Sequence, residues 1–390
     1  MFGKSYKLFK MFGFEVKIDL SWLIILVLVV WSLAGAVFPE EYKGYTRQVY
    51  FVMGLVGAFG LFFSIVFHEL CHSLVARRYG LPMKGITLFL FGGVAEMSDE
   101  PPNPKAEFMM AAAGPLSSIV LAVALSAVSL VGGRLGWAPV VSGMFKWLGI
   151  LNGYLAAFNL IPGFPLDGGR VLRSILWHTR HNLRSATQTA SRVGLVFGGL
   201  LIALGFLYLL LLRSLGGMWW ILIGMFLRGA ARQGYQSVLI RQALSGEKVR
   251  RFMSSDPMAV PGSLPLRQLV DDYIYRYHFK MFPVLEGDRL SGCISTREVR
   301  DVPQDQWQTR TVGEVVRPCS MENTISADED TMKALVRMNS TGTSRLMVVD
   351  DGRLVGILSL KDLLRFLALK MELEGEDASK AARSRSVLEQ

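Results

Sequence analysis

Between Phe51 and Ala76 the only ionisable side chains are His68, Glu69, Cys71 and His72. A run this apolar and this long is read as a membrane-spanning helix. Ionisable groups at such depth are costly, so they must be satisfied inside the protein or put to use. On a helix, His68 and His72 lie four residues apart, one above the other on the same face. Both imidazoles can then reach one zinc ion, and Glu69 can meet a water held by that metal. The plainer alternative is three side chains satisfied by partner helices, although an acid between two histidines would need several partners at once. Cys71 points about 100° away from His72 on the helical wheel. It reads as a small buried apolar residue and not as a further ligand.

The chain is 51% hydrophobic and 19% charged, with a mean hydropathy of +0.35. The long apolar runs fall in the first 230 or so residues, and the remainder is mixed in character. We therefore expect a membrane domain over 1–230, a linker over 231–248 and a soluble part beyond it. The net charge of +10 sits mostly at the ends of apolar segments, which points to membrane orientation and not to nucleic acid. Three cysteines, one in an apolar span and two well apart, give no disulfide framework and suit a reducing compartment. The first apolar run has full span length and no small-residue cleavage site, so no cleavable signal peptide is expected.

The expected architecture is a polytopic α-helical membrane protein of about six spans, followed by a soluble α/β part. Lys4, Lys7, Lys10 and Lys17 precede the first span, Leu20–Phe38. The second, Tyr50–Ala76, ends at Arg77 and Arg78, which places the histidines in the cytosolic half of the membrane. The others are Ala106–Val131, Ser142–Leu160, Val193–Leu212 and Met218–Leu227, and the Lys/Arg bias sets both termini in the cytosol. Between the second and third lies Met83–Met97, broken by Gly92 and Gly93. It reads as a hairpin or re-entrant strand, or else as an amphipathic connector. A strand at that depth would have to line a cavity. Gly114-Pro115 is expected to be a packing kink.

After the fourth span comes FNLIPGFPLDGGR, in which Pro162, Gly163, Pro165, Gly168 and Gly169 are expected to break the helix around Asp167. A broken helix carrying a carboxylate is a common way to build an intramembrane site. Arg170, Arg173, Arg180, Arg184 and Arg192 are read as a cytosolic basic loop, with His178 and His181 solvated among them.

In the soluble part, FPVLEGDRLSGCISTREV (Phe282–Val299) aligns with LMVVDDGRLVGILSLKDL (Leu346–Leu363) at a constant offset of 64 residues. Each copy reads as strand, acidic turn, strand and helix start. Ser359 and Asp362 open the helix in the second copy, and Ser295 and Glu298 hold the same places in the first. The spacing also suits a simple capping box. The two copies are assigned to 249–302 and 303–370, and 371–390 is expected to be a disordered tail.

FHELCH followed by FNLIPGFPLDGGR resembles the site-2 protease family of intramembrane zinc metalloproteases, and the repeat resembles a tandem pair of CBS domains. The combination is similar to the branch that includes relatives of the sporulation-factor-processing protease. The resemblance implies one zinc ion per chain, held by His68, His72 and Asp167, with Glu69 handling the proton of the attacking water. It implies that Asn159 binds the substrate backbone. The segment around Ile86–Glu96, with Gly92 and Gly93 in it, would accept an unwound segment of a membrane-tethered protein, for example one whose cleavage releases a sigma factor or transcription regulator. It further implies an adenine nucleotide (ATP, ADP or AMP) at Ser359 and Asp362, while Glu298 puts the first copy in question. A homo-oligomer through the CBS domains is a further option. Two alternatives stand beside this reading: a CBS-regulated metal-ion channel or transporter, and a proteolytically inactive binding protein.

Overall fold

The computed structural model describes residues 5–81, 83–89, 92–97, 100–214, 216–287, 289–370 and 372–373. Lys4 and all of the expected tail except Glu372 and Leu373 lie outside the described residues. The chain divides into two units, Met1–Val238 and Leu239–Gln390.

The first unit opens with an antiparallel hairpin, β1 (Ser5–Met11) and β2 (Phe14–Asp19), which carries Lys7, Lys10 and Lys17 of the basic start and for which no strand was expected. Asp19 caps the next helix by accepting from Ser21 N at 2.9 Å. That helix is α1 (Leu20–Ser32), which passes through a π-helical turn into α2 (Phe38–Glu41). The long α3 (Arg47–Arg78) follows, then the antiparallel pair β3 (Met83–Phe89) and β4 (Gly92–Met97). The hairpin reading of this segment therefore stands over the connector, although its turn lies outside the described residues. β3 also pairs in parallel with β2, giving a four-stranded sheet in the order β1-β2-β3-β4. The sheet packs on α3 through Phe14, Val16, Ile86 and Leu88 against Phe62, Val66 and Leu70.

Helices α4 (Pro104–Arg134) and α5 (Pro139–Asn159) come next, then α6 (Asp167–Arg180), α7 (Leu183–Leu211) and α8 (Gly216–Leu244). α4 begins with Pro104 behind the cap Asn103, which accepts from Ala106 N at 2.8 Å. α7 begins at Asn182, which accepts from Ser185 N at 3.0 Å. α4 packs against α3, α5 and α6, and α6 against α7. Among the described residues, four helical segments are long and apolar enough to cross a membrane: Leu20–Glu41, Arg47–Arg78, Pro104–Arg134 and Leu183–Leu211. α8 continues through residues 231–244 of the stretch read as a linker.

The basic loop is corrected. Arg170, Arg173 and Arg180 lie on α6, and Arg184 and Arg192 lie on α7, because the capping Asn182 starts that helix ten residues earlier than expected. His178 and His181 are exposed at the end of α6, as expected. Gly168 and Gly169 do not break the helix either. They sit inside the first turn of α6, pressed against the backbone of Leu160 and of Gly163-Phe164, where a side chain would clash.

In the second unit the two copies of the repeat fold alike. β6 (Met281–Glu286) and β7 (Arg289–Ser295) form one antiparallel pair, and β10 (Arg345–Asp350) and β11 (Arg353–Ser359) form the other. Phe282 faces Ile294 in the first, and Leu346 faces Leu358 in the second. The register shifts at the equivalent place in both, Val284/Leu285 and Val348/Val349. β5 (Val260–Pro261) and β9 (Thr324–Ser326) add parallel to β6 and β10, and β8 (Arg317–Pro318) adds to β7. The second hairpin turns at Asp351-Gly352, both with positive φ, as a two-residue type I′ turn requires. Each pair carries its own core, around Leu266, Phe282 and Ile294 in one and Leu346, Val348 and Leu358 in the other.

Candidate metal centre

His68 and His72 stand one turn apart on α3 and are only 3% and 6% exposed. Their Nε2 atoms are 3.1 Å apart, and Asp167 Oδ2 lies 3.0 Å from the first and 3.1 Å from the second. Asp167 is the first residue of α6, delivered by the chain reversal that follows α5. His72 Nδ1 lies 2.6 Å from the carbonyl oxygen of Met110. A carbonyl only accepts, so Nδ1 carries the hydrogen and the Nε2 lone pair points inward. His68 Nδ1 is held by Ser118 Oγ at 2.9 Å. Two imidazole nitrogens and a carboxylate oxygen thus converge on one point.

Such a set is able to hold a cation. A tetrahedral zinc with bonds of about 2.0–2.1 Å spaces its ligands roughly 3.3 Å apart, close to what these three atoms already show. The donor chemistry, the buried location and the outward partners on Nδ1 all fit a metal centre.

Behind the site runs one stripe of α4. Met110 and Ser118 hold the two rings from behind, and Gly114 lies between them. A Cβ at Gly114 would fall 2.5 Å from His68 Nε2 and closer still to His72 Nε2. The packing expected at Gly114-Pro115 thereby gains a specific partner, the two imidazoles. α4 continues through Pro115, and Gly114 is small because the imidazoles need its space. Met110 and Ser118 were missed in sequence, because a backbone carbonyl and a serine in an apolar helix give no distinctive signal.

Glu69 follows His68 on the same helix and packs against β4. A Cβ on Gly93 would meet Glu69 Cγ at 2.8 Å. Gly92 opens β4 opposite Phe89. Asn159 is the last residue of α5 and is half-buried. Ser359 and Asp362 belong to the second unit, where the Ser359 hydroxyl bonds Asp362 Oδ2 and also accepts from Asp362 N at 3.2 Å. In the first copy Glu298 closes a full capping box, its Oε2 accepting from Ser295 N at 2.8 Å.

Comparison with known proteins agrees with this chemistry. Residues 56–137 and 136–202 match Peptidase family M50, and residues 249–305 and 312–369 match the CBS domain. The Mycobacterium tuberculosis protein named zinc metalloprotease Rip3 is 34% identical over 91% of each chain. The Synechocystis protein named zinc metalloprotease sll0528 is 34% identical over 92% of this chain and 94% of its own. A solved Site-2 Protease from Methanocaldococcus jannaschii is 30% identical, with a TM-score of 0.42, covering 60% of this chain and 95% of that one. With both of those relatives matched along nine-tenths of their length, the chain belongs to peptidase family M50, the site-2 protease family of intramembrane zinc metalloproteases, and carries a tandem pair of CBS domains.

Proposed function

We propose that His68, His72 and Asp167 hold the single catalytic zinc ion, that Glu69 is the general base, and that the substrate is a membrane-tethered protein cut within or near its spanning segment. The observation that carries this is the convergence of two Nε2 atoms and Asp167 Oδ2 within 3.1 Å of one another. Three protein ligands leave a fourth position open, the pattern of catalytic and not structural zinc. When bound, zinc supplies Lewis acidity, activating water near neutral pH and polarising the scissile carbonyl.

The chain's own groups do the remaining work. Glu69 takes a proton from the attacking water and returns it to the departing amine. The Asn159 amide holds the substrate backbone beside the reacting carbonyl. β4 is an outer strand of its sheet, and Gly93 brings it against Glu69. An unwound substrate segment can add to that edge, recovering backbone hydrogen bonds lost with its helix. Gly92 and Gly93 keep the strand clear of side chains where the substrate lies.

The wider reading has six membrane crossings with both termini and the CBS pair on the cytoplasmic side. Its domains are the protease at 1–230, a linker at 231–248, CBS domains at 249–302 and 303–370, and a tail. The CBS pair takes ATP, ADP or AMP at Ser359 and Asp362 and tunes cleavage, and chains associate through these domains. Glu69→Gln tests the central claim. It is expected to retain one zinc per chain while losing at least about 1,000-fold in cleavage of a transmembrane substrate. Wild-type cleavage by purified Glu69→Gln protein would remove Glu69 from its role.

A further inference from the structure

Arg173, read from sequence as part of a cytosolic basic loop, is 2% exposed, and Glu107 on α4 is 0% exposed. Arg173 Nε donates to Glu107 Oε1 at 2.6 Å, its Nη2 pairs with the same oxygen, and Nη2 also reaches Glu100 Oε2 at 3.3 Å. The guanidinium carbon stands 5.5 Å from the centre of the Phe164 ring. Phe164 lies in the reversal that delivers Asp167, and its backbone N donates to Ala190 O of α7 at 3.1 Å. One guanidinium therefore ties α4 to both the reversal and α6.

The two helices it joins carry opposite halves of the metal centre. Arg173 lies six residues, about 9 Å of helix, beyond Asp167. Glu107 lies one turn before Met110, whose carbonyl fixes His72, and on the same α4 stripe as Gly114 and Ser118. Resting on the assignment of His68, His72 and Asp167 as metal ligands, we infer that the Glu107–Arg173 pair is a positioning device that sets the reach of Asp167 toward the two imidazoles. Neither residue touches the reacting atoms. A planar fork held on one side by a carboxylate and on the other by a ring fixes direction as well as distance. A pair that only stabilised the fold could be exchanged for apolar side chains of similar volume without effect on the metal.

That difference supplies the test. The full-length protein in lipid nanodiscs is stripped of metal and titrated with Co²⁺, following the visible d–d bands and the dissociation constant. Asp167→Ala and the double variant Glu107→Met/Arg173→Met are run beside the parent. The double variant is expected to keep the parent's helical circular dichroism and melting transition, to bind Co²⁺ about 10- to 100-fold more weakly, and to show altered d–d bands. Parental affinity and spectrum in the folded double variant would overturn the proposal. Should the double variant not fold, Arg173→Lys decides: it keeps the charge but loses the fork and the ring contact. Weakened Co²⁺ binding in folded Arg173→Lys upholds the pair, and parental binding overturns it. A parent whose Co²⁺ binding is untouched by Asp167→Ala would instead sink the ligand assignment, and this inference with it.

Discussion

Replacing Gly114 with alanine adds one methyl group at the point where α4 meets the two imidazoles. Ordinary Cβ contacts begin near 3.4 Å, whereas this one would stand 2.5 Å from His68 Nε2, so that ring must retreat by about 0.9 Å, and His72 further. Metal–ligand distances tolerate about 0.2 Å, so the displacement exceeds what the centre can absorb. The fold should absorb it better. A helix-interior Gly→Ala change stabilises by about 1 kcal/mol, which offsets much of the roughly 1–3 kcal/mol cost of overpacking. Gly114→Ala is thus expected to melt near the parent while binding less than a tenth of the zinc and losing at least about 100-fold in cleavage rate. Zinc is measured by elemental analysis after dialysis, and cleavage on a reconstituted transmembrane substrate. Gly133→Ala is the control, on the same helix with nothing within 4 Å of its new Cβ; it should match the parent in both. A Gly114→Ala protein with one zinc per chain and parental turnover would refute the reasoning.

Two further outcomes concern the second unit. In the first copy Glu298 is engaged by the backbone and hydroxyl of Ser295, whereas the shorter Asp362 meets the Ser359 hydroxyl and leaves the Ser359 N–H aside. Calorimetry on the full chain is expected to find one adenine nucleotide per chain, weakened at least about tenfold by Asp362→Asn and unchanged by Glu298→Gln, since one lost charge-assisted hydrogen bond is of that size; equal losses from both variants would contradict this. Burial pushes the Cys293 thiol up to about 11, whereas Cys319 is exposed. At pH 8 only about one Cys293 in a thousand is thiolate, and below its pKa that fraction rises about tenfold per pH unit. Iodoacetamide at pH 8 should therefore modify Cys319 first, with Cys293 catching up only as the pH is raised. Equal labelling of the two by mass spectrometry would count against the buried placement.

Much of the centre was legible in the residues themselves. His68, Glu69 and His72 could be read because a helix turns a four-residue spacing into a shared face, and an apolar run makes polar intruders conspicuous. Asp167 was different. It lies 95 residues from His72, and no periodicity spans that gap, so family resemblance linked them. The rear wall of the site was not legible, since Met110 acts through its carbonyl and Gly114 through having no side chain. Glu107 and Arg173 did leave a signal, an acid at the start of an apolar span and an arginine six residues beyond Asp167. The habit of assigning basic residues to cytosolic ends absorbed Arg173 into a loop. β1 was missed because its two lysines, Lys7 and Lys10, stand three residues apart, which obscures the twofold alternation of a strand.

Glu107, Met110, Gly114 and Ser118 share one edge of α4, and each is constrained for a different reason: one by charge, one by the line of its main chain, one by size, one by a hydroxyl. Elsewhere on the helix, side chains such as Leu116, Val120 and Val123 are exposed on the protein's exterior. A saturation library across this helix should consequently accept any greasy residue at Leu116, Val120 and Val123, refuse most changes at Glu107, Gly114 and Ser118, and at Met110, where only the carbonyl is used, still accept apolar side chains of similar size.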